Sequence, residues 1–101
     1  PREVGVAAFL RRIREAVAAK RVRASDYARE RAREELGWDI FDIGEQLCEL
    51  TEEDLYRREP SHDRSWEEIW TFTPPLLDEE GFLWIRIVER DGFLIVSFHR
   101  G

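Results

Sequence analysis

The sequence predicts an α+β domain, three N-terminal helices packed on a small antiparallel β-sheet. Three observations predict it. Apolar residues in the first half recur at helical spacing, as in Val6, Phe9, Leu10, Ile13 and Val17. From Tyr56 onward the apolar residues are mostly β-branched or aromatic and tend to alternate with polar ones. Asp91-Gly92 then stands between two such runs, and this dipeptide suits a two-residue type I′ turn because both central positions need φ > 0.

The elements follow in order. The first helix runs from about Val4 to Ala19, with Arg11, Arg12, Arg14 and Glu15 off its apolar stripe. Ser25 or Asp26 caps a second helix that ends at Leu36-Gly37, glycine being the usual residue just past a helix end. Its stripe of Ala28, Ala32 and Leu36 is thin, so it lies shallowly on its neighbours. Asp39 caps a third helix, which buries Ile40, Ile43, Leu47 and Leu50. Thr51 and Asp54 form a loose capping box that opens a single turn. Tyr56-Arg57-Arg58 reads as a short strand, Glu59 to Ser65 as a loop, and Trp66 to Thr73 as a second strand stopped by Pro74-Pro75. A linker, Leu76 to Glu80, leads into the hairpin of Gly81 to His99.

With Asp91 and Gly92 as the loop, Ile85 faces Phe98, Ile87 faces Val96 and Glu89 faces Leu94; Trp84 faces His99, Arg86 faces Ser97 and Val88 faces Ile95. Strand side chains alternate faces, so Leu83, Ile85, Ile87, Leu94, Val96 and Phe98 make the apolar face. Trp84, Arg86, Ser97 and His99 cluster on the other, which an antiparallel sheet can leave open to water.

A chain of 101 residues is expected to be one domain, 1–101, with a modest core. No apolar run approaches the ~20 residues of a membrane span, no signal peptide is visible, and Pro1 reads as a truncated or processed start. The single cysteine, Cys48, permits no internal disulfide and fits a reducing cytoplasm; its neighbours Leu47 and Leu50 suggest a small buried hydrophobe. Residues 1–33 hold ten Lys and Arg against four Asp and Glu, a net of +6, and residues 34–101 hold six against eighteen, a net of −12. A net acidic chain is a poor general nucleic-acid binder, so only the helical front offers a basic surface, and such a run is more often a solvated face. Two histidines and one cysteine without close spacing give no metal site, and no cofactor is implied.

The run VRASDYARERAREELGWDIFDIGEQLCELTEEDLYR, the later SWEEIW and the ending LWIRIVERDGFLIVSF resemble the MqsR toxins of bacterial toxin–antitoxin pairs, part of the RelE-like superfamily of mRNA interferases. The resemblance runs from the first helix to the last strand. It implies a RelE-like fold and a small cytoplasmic endoribonuclease that cleaves mRNA and is silenced by a cognate antitoxin. In the family pattern a Lys stands at Arg57, a Gln at Glu67, a Tyr at Trp84 and a Lys at His99. The set Glu, Arg and His resembles that of the YoeB branch, so the replacements look like a change of acid and base.

Cleaving RNA through its own 2′-OH needs a base for the 2′ proton, an acid for the leaving 5′ oxygen and cations for the charged phosphorane. Glu67 is the candidate base and His99 the acid. Arg86 and Arg57 are the phosphate clamp, and Trp84, with Trp66 or Trp70, can stack a splayed base. His62-Asp63, in the loop, can assist or simply be solvated. If Ile69 is core, Glu67 points inward unless a bulge turns it, so Glu68 stays open as the alternative. Each residue also has a plainer reading: His99 as a strand end, Arg86 as a surface ion-pair partner, Trp84 as a cover for the sheet. The whole chain has one too. A non-catalytic binding module with the same fold, its acidic surface serving a protein partner, is the alternative that the −12 half favours.

Overall fold

A computed structural model describes residues 5–62, 64, 66–76 and 81–100; for Phe93, Ile95, His99 and Arg100 it describes the backbone. Val4 of the expected first helix, Asp63 of the loop and residues 77–80 of the linker lie outside the described residues.

Helix α1 spans Val6–Ala18 and buries Phe9, Leu10, Ile13 and Ala16, with Val6 and Val17 packed at the margin. A short strand, β1 (Val22–Ala24), follows. Helix α2 (Asp26–Arg31) starts where the Ser25 hydroxyl accepts the Ala28 N–H at 3.1 Å, and it widens into a π-helical segment, Ala32–Leu36. Gly37 ends it at φ 70°, its N–H donating to the Arg33 carbonyl as in an αL cap, and the Trp38 N–H reaches back to the Ala32 carbonyl. Helix α3 (Ile40–Cys48) begins with a full capping box between Asp39 and Asp42. A second box, Thr51 with Asp54, opens a single 3₁₀ turn, Glu52–Asp54.

The remaining chain forms β2 (Leu55–Pro60), β3 (Glu68–Phe72), β4 (Leu83–Arg90) and β5 (Phe93–Arg100). The sheet order is β1-β5-β4-β3-β2. The β4–β5 hairpin has the register expected from Asp91-Gly92, with Trp84 opposite His99 and Arg86 opposite Ser97. Both turn residues have positive φ, 52° at Asp91 and 81° at Gly92, as a type I′ turn requires.

The α+β class and the helix-then-sheet order agree with the sequence, and four details differ. Among the described residues the sheet has five strands and is mixed, because Val22, Arg23 and Ala24 pair in parallel with Leu94, Ile95 and Val96. Three residues are too few to show a period, and their partner lies some seventy positions on in the chain. β2 runs on through Glu59 and Pro60, which read as loop; Pro is tolerated there because β2 is an edge strand. Ile40 is 38% exposed, while Ile43, Leu47 and Leu50 are buried as expected. Cys48 is likewise only half-buried.

The helices cover one face of the sheet. Trp70, Phe72, Leu83, Ile85, Ile87, Leu94, Val96 and Phe98 point into that layer. Phe9 of α1 stacks flat on Trp70, ring centroids 3.9 Å apart, and parallel to Phe72 at 6.5 Å. Among the described residues no helix lies over the other face, and the pleat sends Arg57, Glu59, Thr71, Trp84, Arg86 and Ser97 to it.

Candidate functional site

The register lines up one row across the open face: Arg57 on β2, Thr71 on β3, Arg86 on β4 and Ser97 on β5. The pairing of β2 with β3 slips between Leu55 and Arg57, which leaves Tyr56 as an extra residue. Such a bulge re-aims side chains. Here Tyr56 meets Trp84 with ring centroids 5.0 Å apart, and the Arg57 guanidinium lies 5.5 Å from the Tyr56 ring and 5.9 Å from the Trp84 ring. Phe82 adds a third ring, 6.4 Å from Trp84.

Glu59, one pleat further along β2, reaches back between the two arginines. Its Oε1 lies 3.4 Å from Arg57 Nε and 3.7 Å from Arg86 Nη2. Charge-assisted hydrogen bonds are usually about 2.7–2.9 Å long, so this carboxylate is held loosely and keeps lone pairs to offer. Arg57 and Arg86 are about half exposed and Glu59 about a third. Under them Thr71 is fully buried, and its hydroxyl has no hydrogen-bond partner.

The residues singled out from the sequence divide between places. Arg57, Trp84 and Arg86 come together on the open face. His99 belongs to the same row as Trp84 by backbone pairing, and its side chain lies outside what the structure describes. Trp70 faces the helices and is 3% exposed, with Phe9 against one face of its ring and the Arg58 guanidinium 3.8 Å from its centroid. No base can reach it there. Glu68 shares that side of the strand and pairs with Arg58 at 2.7 Å. His62 is exposed at a bend.

Glu67 precedes β3 in a turn and sits at the far end of the sheet. Arg90 grips it with two bonds, Nε to Oε2 at 2.6 Å and Nη2 to Oε1 at 2.8 Å, and Arg64 adds a contact at 3.6 Å. Arg90 is four residues beyond Arg86 on β4, about 13 Å away at the usual strand rise. The Glu67 carboxylate lines a separate pocket of about 410 Å³ with Trp66, which is 80% exposed, and with Phe9 and Arg12 of α1. The Arg90 hydrogen bonds hold the Glu67 carboxyl below its ordinary value, against the opposing effect of burial.

That shift carries a sign. A carboxylate with a lowered folded-state pKa adds stability that is present above the unfolded value and is lost as pH falls through the folded one. Glu67→Gln should therefore lower the Tm at pH 7, and the gap to the unchanged protein should close below the ordinary carboxylate range. Thermal melts between pH 7 and pH 2 measure this; a gap that stays constant across the series contradicts it.

Glu59 was missed because Pro60 follows it, and Glu-Pro-Ser reads as loop. The signal that points to it is the alternation itself: a strand that continues past Arg57 puts Glu59 on the same face. Among the described residues, no three His, Cys, Asp or Glu side chains converge as a metal site, and no helix is long and apolar enough to cross a membrane.

The features so far define an α+β domain whose uncovered sheet face sets two arginines, a carboxylate and two hydroxyl-bearing residues beside an aromatic wall, a surface able to hold an anion and stack a flat ring. The chain matches the family described as motility quorum-sensing regulator, toxin of MqsA, over residues 7–100, and it belongs to that family. Membership makes it the toxin partner of a toxin–antitoxin pair and implies a cognate antitoxin. No individual curated protein matches the chain.

Proposed function

We propose that this toxin is an endoribonuclease acting on single-stranded mRNA in the cytoplasm, with its reaction on the open sheet face. The observation that carries the reading is the Arg57–Glu59–Arg86 cluster beside Trp84. The two guanidiniums take the scissile phosphate, and Trp84 with Tyr56 stacks an adjacent base. Glu59 takes the 2′-OH proton. A base must lie within reach of its proton; Glu59 stands beside the two arginines with its side chain 30% exposed, whereas Glu67 is 6% exposed and held by Arg90 at the other end of the sheet. The 2′ oxygen attacks phosphorus and the bond to the 5′ oxygen breaks. His99, facing Trp84 across the hairpin, gives that oxygen a proton. Histidine as a residue type has an unperturbed pKa near 6.5, which suits acid work around neutrality. Arginine charge does what a metal ion does elsewhere, so EDTA should not stop the reaction.

The antitoxin has two surfaces of the right kind. β2 ends the sheet order, an edge strand that an added strand can extend. The basic residues of α1 and α2 suit an acidic segment, although Arg12 is already paired with Glu89 and Arg29 with Asp26.

The test is to incubate the purified protein with single-stranded RNA and with DNA of the same sequence, both in EDTA. Cleavage of the RNA alone is the expected result. Cleavage of DNA, or loss of activity in EDTA, contradicts the mechanism. An inert protein that still binds its antitoxin returns the fold to the binding-module reading.

A further inference from the structure

We propose that the Thr71 hydroxyl is a phosphate contact of this site, left without a partner in the free protein and satisfied only when a phosphoryl oxygen enters between Arg57 and Arg86. The inference rests on the reading of the open face as the RNA site. Three observations carry it. Thr71 lies in the middle of the cross-sheet row, paired with Arg57 on one side and Arg86 on the other. Its residue is fully buried and its Oγ1 makes no hydrogen bond. The pleat sends its side chain to the arginine face, since Trp70 and Phe72 on either side of it point to the helices.

A buried hydroxyl without a partner is a cost to the fold, and native proteins leave few of them. Valine has nearly the same shape, would fill the same space and would remove the cost. The position is therefore suboptimal for the free protein, and a bound anion supplies what it lacks. A phosphoryl oxygen carries the negative charge that Arg57 and Arg86 attract and the lone pairs that a hydroxyl proton needs. The hydroxyl donates one bond to it from the floor of the site, while the guanidiniums donate from its two sides. Glu59 now lies between those guanidiniums. When phosphate arrives it takes that place, and the carboxylate moves aside toward the 2′-OH.

The test compares Thr71→Val and Thr71→Ser with the unchanged protein. Two quantities are read: the Tm, and the affinity for a single-stranded RNA oligonucleotide with hydrogen in place of the 2′-OH at its cut site alone, so that it binds without being cut there. Thr71→Val should raise the Tm by roughly 5 °C and weaken binding about 10- to 100-fold, the loss of one hydrogen bond to a charged group. Thr71→Ser keeps the hydroxyl and should bind within a few-fold of the unchanged protein. A Thr71→Val protein that binds equally well overturns the inference. So does a fall in its Tm, which would mean that the hydroxyl is already satisfied, or a Thr71→Ser protein as weak as Thr71→Val. If the unchanged protein binds no oligonucleotide, the RNA reading of the face fails and this inference with it. Binding that Thr71→Val leaves untouched removes only the role of Thr71.

Discussion

Arg86→Ala should lower RNA cleavage by about 10²- to 10³-fold, the usual loss when one donor to the reacting anion is removed, and leave the Tm nearly unchanged. Arg86 stands on a central strand of the sheet, flanked by Thr71 and Ser97, and its side chain is 41% exposed on the face that no helix covers. Its contact in the free protein, Glu59 at 3.7 Å, is long and solvent-screened, so little stability depends on it. The loss should therefore appear in kcat/KM and not in folding. Arg86→Lys separates charge from geometry. Lysine keeps the charge but cannot donate two parallel bonds from one planar group, so it should fall between Arg and Ala. Equal rates for Arg86→Ala and the unchanged protein would remove Arg86 from the site.

The second large effect is on the fold. Trp70→Ala should destabilise the protein by about 3–5 kcal/mol, a large part of the ~5–15 kcal/mol that holds a domain together. Trp70 is the layer between helix and sheet: Phe9 stacks on it, Phe72 lies beside it and Arg58 covers it. Removing the indole takes away the surface on which α1 rests. The Tm should fall by roughly 15–30 °C, and RNA affinity per folded molecule should stay the same. Trp84→Ala should do the reverse, weakening RNA binding with little change in Tm, since Trp84 lies on the uncovered face against Tyr56 and Arg57. A Trp70→Ala protein with normal Tm and lost RNA binding would contradict this division.

The two tryptophans mark where sequence reading holds and where it stops. The hairpin was legible because its information is local: Asp91-Gly92 sets the loop, the loop sets the register, and the register puts Trp84, Arg86, Ser97 and His99 on one face. The helix ends were legible for the same reason, through Ser25, Gly37 and Asp39. β1 was not, because Val22 to Ala24 becomes a strand only through its pairing with distant Leu94 to Val96. For β3 the alternation from Trp66 to Trp70 separates two faces without saying which one the helices cover, and Phe9 decides that. Glu67 lay beyond the reach of alternation altogether, since it sits in the turn before the strand and its direction comes from Arg90. Glu59 and the bulge at Tyr56 depend on how β2 seats against β3, a contact that Pro60 hides from a reader of the chain.

The central claim is that the open sheet face cuts RNA through the substrate's own 2′-OH. The most direct measurement uses a short single-stranded RNA with one known cut site and a second copy that carries hydrogen in place of the 2′-OH at that site alone. The account predicts that the first is cut to a product ending in a 2′,3′-cyclic phosphate and a partner starting with a 5′-OH, and that the second is bound but left whole there. Cutting of the 2′-deoxy copy at the same bond, or a product with a 5′-phosphate, would contradict it.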